Sequence, residues 1–154
     1  MPEKETLRRA HADKRAGKSP TTQAGEFVRE EIHHVREGKH GARSAKQAIA
    51  IGLSKARRAG VDLPAPPASA SKSTKRSAKS ARRRASSRKR PSLKRARASM
   101  RRLKRESRSA ASRKALSRQA KTAARRRSRS ARSAASRKAA RTRKRTQRQR
   151  ARAR

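Results

Sequence analysis

The last 91 residues of the chain contain almost nothing that could form a hydrophobic core. Residues 64–154 carry 37 Lys+Arg against one acidic residue, a net charge of +36, and have no aromatic side chain. Their large apolar residues are Leu93, Met100, Leu103 and Leu116. Such a segment cannot bury enough apolar surface to offset the entropy of ordering it. The sequence therefore confines a folded core to residues 1–63, where 14 Lys+Arg face 8 Asp+Glu.

Two helices are predicted within residues 1–37. The first is short and polar, covers 3–16 and ends at Gly17. The second covers 20–37 and begins with Ser19-Pro20, an N-cap residue followed by proline in the first turn. Its apolar residues recur at helical spacing and form one face: Ala24, Phe27, Val28, Ile32 and Val35.

A third helix is predicted to begin at Ser44, with Gln47 completing a capping box, and to end at Gly60. Small residues lie four apart along its inner face, at Ala48, Gly52 and Ala56. Such a stripe lets another helix approach closely. We expect the apolar face of the second helix to pack into this groove, with self-association of the head into a homo-oligomer as the alternative.

The remaining residues predict a linker and a tail. Residues 64–91 are rich in Pro, Ala, Ser and Lys, which favours an extended linker. Residues 92–154 lack Gly and Pro, and Ala and Arg are strong helix formers, but like charges one turn apart repel. We therefore expect a mainly α protein with a helical head (1–63), a linker (64–91) and a basic tail (92–154). The tail should be disordered when free, or partly helical.

The tail also contains an internal repeat. The octapeptide RSAASRKA occurs at 108–115 and again at 132–139. Because the unit lacks a hydrophobic face, it does not predict a solenoid.

The net charge of +42 indicates a polyanionic partner, and nucleic acid is the abundant one in a cell. Arg forks match phosphate oxygens, and phosphate contacts carry no base information. We expect the tail to bind duplex DNA, and possibly RNA, without sequence preference and to bridge or condense it. The predicted contacts are Arg82, Arg83, Arg84, Arg88, Lys89, Arg90, Arg101, Arg102, Arg125, Arg126, Arg127, Arg137, Lys138, Arg143, Lys144 and Arg145.

The third helix offers possible further contacts from the head, at Lys46, Lys55, Arg57 and Arg58. Gln47 could reach a base if the second and third helices formed a helix-turn-helix reader. The connection of about six residues is longer than the usual three or four, which favours contact without sequence readout.

Metal binding and catalysis are not expected. Adjacent residues on a helix point about 100° apart, so His33 and His34 diverge, while a glycine-containing turn holds His40. This favours surface or phosphate-facing histidines over a metal site. The acidic residues Glu30, Glu31 and Glu37 are expected to pair with Arg29, Lys39 and the tail. We predict no catalytic residue, no metal and no cofactor, and therefore a protein that is not an enzyme.

Membrane insertion and export are also not expected. No apolar run approaches the roughly 20 residues that span a bilayer. Residues 1–20 lack the apolar segment of a signal peptide, and Glu3, Glu5 and Asp13 argue against a transit peptide. Without Cys there is no disulfide. We expect a cytoplasmic protein associated with the nucleoid.

The stretch Ser44–Arg57 reads Ser-x-Lys-Gln-Ala-Ile-Ala-Ile-Gly-Leu-Ser-x-Ala-Arg. It resembles a motif of a family of small bacterial basic proteins of unknown function. The tail is similar in composition to the C-terminal domains of bacterial histone-like and linker-histone proteins, although it is richer in Arg. The first resemblance implies no activity, and the second implies a histone-like protein. The alternatives are an RNA- or ribosome-associated assembly factor and a protein-binding adaptor anchored by its tail.

Overall fold

The computed structural model of the chain describes residues 2–87 and 92–152. Within these ranges the chain is helical and has no strand, which confirms the mainly α class. The α-helices are α1 (Lys4–Arg15), α2 (Pro20–Arg36), α3 (Ala45–Arg58), α4 (Lys72–Arg83), α5 (Leu93–Lys104), α6 (Arg113–Arg125) and α7 (Arg129–Arg152), with a 3₁₀ turn at Arg108–Ala111. The chain divides into two compact units, with the boundary between Leu116 and Ser117.

The second and third helices begin where local capping chemistry predicts. The Ser19 hydroxyl accepts from the Thr22 amide, and the Ser44 hydroxyl accepts from the Gln47 amide at 3.2 Å. The Gln47 side chain returns a bond, but it accepts from the amide of Arg43 (2.9 Å) rather than from that of Ser44. These bonds satisfy amides that a helix N-terminus leaves free.

The core of the head lies between α2 and α3, as the two apolar patterns predict. Phe27 and Val35 of α2 are fully buried. On α3, Gly52 lies against the α2 backbone, where an added Cβ would be 2.7 Å from the Cα of Val28. The small-residue stripe of α3 is therefore filled by α2 of the same chain.

Part of the predicted tail belongs to this core. Ala110 and Ala111 are buried against Ile32, Val35 and other residues of the head, with Leu116 beside them. The backbone also connects the head to this segment: the amide of Gly41 donates to the carbonyl of Leu103 at 2.9 Å. The fit is close, since a Cβ at Gly41 would lie 1.8 Å from the carbonyl oxygen of Glu106. The core of the unit that ends at Leu116 therefore includes residues of the predicted tail, well beyond residue 63, where the head was predicted to end.

The tail is helical, so the expectation of disorder was wrong. Serine side chains cap the starts of α6 and α7: Ser112 accepts from the Ala115 amide and Ser128 from the Ala131 amide, each at 3.2 Å. Each cap contributes about 1 kcal/mol. The strong helix propensity of Ala and Arg acts along the whole length of these helices and adds to the caps.

The segment predicted as an extended linker also contains a helix. Ser71 caps α4 by accepting from the Thr74 amide at 3.1 Å, and Ala81 is 3% exposed where α4 packs beside α3. A buried alanine on an otherwise polar helix gives too weak a periodic pattern to be recognised in the sequence.

Candidate nucleic-acid interface

A basic cleft lies between α3 and the helix α4. It has a volume of about 460 Å³, and α3 contributes Ser54 and Arg58 to its wall. The wall on the α4 side is formed by Arg76, Ser77, Ser80, Ala81 and Arg84. The spacing explains this convergence, because residues four apart on a helix share a face. The cleft therefore combines three guanidinium groups with three hydroxyl groups.

The positive charges in this cleft repel one another. Burial, together with the charge of Arg84, holds the pKa of Arg58 below its ordinary value. Within the described part of the chain, no carboxylate lies within ion-pair distance of Arg58, Arg76 or Arg84. Guanidinium forks and hydroxyl donors together suit phosphate oxygens. An anion in the cleft would relieve the repulsion and satisfy these donors.

Two of the predicted contact residues, Arg58 and Arg84, are brought together in this cleft. Their neighbour Arg82 instead forms an ion pair with Asp62 at 2.8 Å. Lys46 is exposed on α3, and Arg57 donates to the carbonyl of Pro64 at 3.3 Å. Burial lowers the pKa of Arg57. The structure thus separates cations that are free to meet a ligand from cations with an internal partner.

Lys55 has such an internal partner and is largely removed from the surface. Its ammonium lies 2.9 Å from Glu30 Oε1 and 2.8 Å from Glu31 Oε2, and the side chain is 17% exposed. Burial lowers the pKa of Lys55, but the contacts with Glu31 and Glu30 more than compensate and raise it above the ordinary value. Lys55 stabilises the head rather than presenting a charge to a ligand.

The side chain of Gln47, the candidate for base readout, also has a hydrogen-bond partner within the protein. Its side-chain oxygen accepts the Arg43 amide at the start of α3. This occupies the group with which glutamine would accept a bond from a base.

The predicted contacts beyond the cleft lie on exposed helices and turns. Arg101 and Arg102 are on α5, Arg125 ends α6, and Arg126 and Arg127 follow it. The α7 members are Arg137, Lys138, Arg143, Lys144 and Arg145, all exposed. Arg83 is exposed on α4, whereas Arg88, Lys89 and Arg90 lie outside the described residues.

Sequence reasoning missed the α4 residues Arg76, Ser77 and Ser80. A usable signal was present, because Arg76, Ser80 and Arg84 lie four apart and form one helical face. This face exists because Lys72–Arg83 is helical, whereas the sequence predicted an extended linker here.

The histidines differ from the surface groups that we expected. His33 is exposed, but the side chains of His34 and His40 are 13% and 6% exposed. Glu31, His34 and His40 bring donor atoms within 4.8 Å of one another. A signal for this existed in the spacing of Glu31 and His34, which lie three apart on α2.

Comparison with known proteins finds a partial match and no activity. Residues 12–66 match the family described as "Family of unknown function (DUF6496)", a range that includes the end of α1 and all of α2 and α3. No curated protein matches the chain, and no solved structure matches it.

Among the helices described within 2–87 and 92–152, none combines the length and apolar character needed to cross a membrane.

Proposed function

We propose that this protein is a non-enzymatic, histone-like protein that binds duplex DNA through its phosphates and bridges or condenses it in the bacterial nucleoid. The observation that carries the proposal is α7. This helix of 24 residues contains eleven Lys+Arg and no acidic residue. It is about 36 Å long, and a duplex of that length carries about 21 phosphate charges. One helix could therefore neutralise about half of the duplex charge along its length.

The helical state of the tail favours B-form DNA over double-stranded RNA. The major groove of B-DNA is about 12 Å wide and admits an α-helix. The major groove of A-form RNA is deep and too narrow for side chains to read. Recognition of single-stranded RNA usually uses aromatic stacking, and the sole aromatic residue, Phe27, is fully buried.

The cleft between α3 and α4 supports the same function. It adds a separate cationic surface on the first compact unit. A protein with two cationic surfaces can contact two DNA segments, which is the requirement for bridging. Because both surfaces are built from Arg and Ser donors, binding should be tolerant of sequence and sensitive to salt.

The proposal is tested by titrating the full-length protein into labelled duplex DNA over a salt series, with structured RNA as competitor. A variant with Arg141, Arg143, Arg145 and Arg148 changed to Gln should reduce the log–log salt slope by about 3 to 4. The control changes Lys4, Arg8, Lys14 and Arg15 of α1 to Gln, which removes the same charge from the head. It should leave the slope close to that of the unaltered protein.

Three outcomes would overturn the proposal. Equal effects of the two variants would show that net charge, rather than α7, drives binding. RNA that outcompetes an equal concentration of duplex phosphate would favour an assembly factor. Binding too weak to measure near physiological salt would favour an adaptor whose head binds protein.

A further inference from the structure

Glu31, His34 and His40 form a compact donor cluster at the end of α2. Glu31 and His34 lie one helical turn apart, and the chain after α2 brings His40 back towards them. One donor atom from each lies within 4.8 Å of the other two. Two imidazoles and one carboxylate are a ligand set that suits divalent zinc.

Both imidazole rings are held in place by hydrogen bonds. His40 Nδ1 lies 3.0 Å from the carbonyl oxygen of Gly41. Because a carbonyl can only accept, Nδ1 carries the hydrogen, and in the neutral ring the lone pair is on Nε2. His34 Nε2 lies 2.8 Å from Glu3 Oε1, so this carboxylate orients the second ring. Metal-binding histidines are commonly fixed in this way through their other nitrogen.

Glu31 is a buried carboxylate with an unsatisfied oxygen. Its side chain is fully buried, and its Oε1 has no hydrogen-bond partner among the described residues. Oε2 forms an ion pair with Lys55. Oε1 lies 3.3 Å from His40 Nε2, so two lone pairs face each other when the imidazole is neutral. A cation between these atoms would remove that repulsion.

The distance between these two atoms suits a metal ion. Zinc bonds to nitrogen or oxygen are about 2.0–2.1 Å long, so a tetrahedral site places neighbouring ligands about 3.4 Å apart. The observed distance of 3.3 Å is close to this value. A three-ligand site would also need the His34 donor atom, which lies within 4.8 Å of the other two, to come to about 3.4 Å from them.

Local charge also favours a divalent cation, despite the strongly positive chain. Glu31 and the buried Glu30 share one ammonium group, that of Lys55, at 2.8 and 2.9 Å. Two carboxylates and one ammonium group leave an excess of one negative charge beside the His40 ring. A bound cation would offset this charge.

We propose that Glu31, His34 and His40 bind a zinc ion, which ties the end of α2 to the following turn. The site is structural, and it is independent of the proposed DNA-binding function.

The test uses full-length protein freed of metal with a chelator and then titrated calorimetrically with ZnCl₂ near neutral pH. One equivalent should bind, and thermal unfolding should shift upwards with added zinc. Replacing both His34 and His40 with Gln should weaken binding by about 100-fold or more. The matched control replaces the exposed His11 and His33 with Gln and should retain the zinc affinity.

Two further measurements keep the test decisive if the first variant folds poorly. Co²⁺ added to the unaltered protein should give the visible absorption bands of a tetrahedral nitrogen and oxygen site. Glu31→Gln, which keeps the side-chain size, should lose these bands. Absence of zinc binding to the unaltered protein would overturn the proposal. Equal loss in the His11 and His33 control would overturn it as well, because binding would then be nonspecific.

Discussion

Gly52 of α3 lies against the backbone of Val28 of α2, so closely that a Cβ at Gly52 would be 2.7 Å from the Val28 Cα. It would also lie 3.0 Å from the Phe27 carbonyl oxygen. Gly52→Ala should therefore separate α2 from α3 and cost about 1–3 kcal/mol of stability, despite the better helix propensity of Ala.

Gly25→Ala on α2 is the matched control, because a Cβ there would meet nothing within 4 Å. It should stabilise the head by about 0.5–1 kcal/mol. Urea unfolding followed by circular dichroism measures both. A Gly52→Ala protein as stable as the Gly25→Ala protein would contradict the observed packing of α2 on α3.

Lys55 balances two buried carboxylates, so Lys55→Met should be among the most damaging single changes in the head. Removing one partner of a buried ion pair costs about 3–5 kcal/mol, because Glu30 and Glu31 would be left buried without their counter-charge. Thermal unfolding in the presence of a metal chelator measures the loss. Lys46→Met, at an exposed position of the same helix, should change stability little. Similar melting of the two variants would show that the Lys55 pairs contribute nothing.

The cleft between α3 and α4 should contribute to DNA binding through Arg58 and Arg84. Changing both to Gln should make the log–log salt dependence of duplex affinity shallower by about 2. The control changes Arg29 and Arg82, which removes the same charge from arginines already paired with Glu26 and Asp62. Fluorescence anisotropy over a salt series compares them. If the control variant lost as much of the slope, the cleft would have no special role.

The repeated octapeptide allows one substitution to be tested in two environments. Ala111 in the first copy is fully buried, whereas the equivalent Ala135 in the second copy is exposed on α7. Ala111→Leu should overpack the core and cost about 1–3 kcal/mol. Ala135→Leu should be close to neutral, since Leu is a good helix former. Thermal unfolding of the two variants tests this, and equal stabilities would mean that residues 108–111 do not pack on the head.

Most of the head could be predicted because its signals are local. Ser19 and Ser44 are caps, and the apolar spacing of α2 matches the small-residue stripe of α3. Each of these features acts within a few turns of one helix or between two neighbouring helices. Such features can be recognised in a single sequence.

The packing of the tail on the head and the site contacts could not be predicted, because they depend on long-range contacts that the composition does not indicate. Ala110 and Ala111 are small residues in an Arg- and Ser-rich segment, and nothing in their pattern distinguishes them from Ala134 and Ala135 of the second copy. The first pair is buried because the backbone of Gly41 and Ala42 holds the chain beside the head. Arg58 and Arg84 line the same cleft, and Glu31 lies beside His40, only because the folded chain brings them together. Neither pair could be predicted from the sequence.

Glu106 is the last acidic residue, and 20 Lys+Arg follow it. No side chain beyond that point can neutralise a neighbour, so electroneutrality there is supplied by mobile anions. If the proposed function holds, α7 acts as an ion exchanger, and the polymer that presents phosphate at the highest density displaces its bound anions. The entropy of the released small ions, rather than any fitted surface, would then set where in the cell this protein resides.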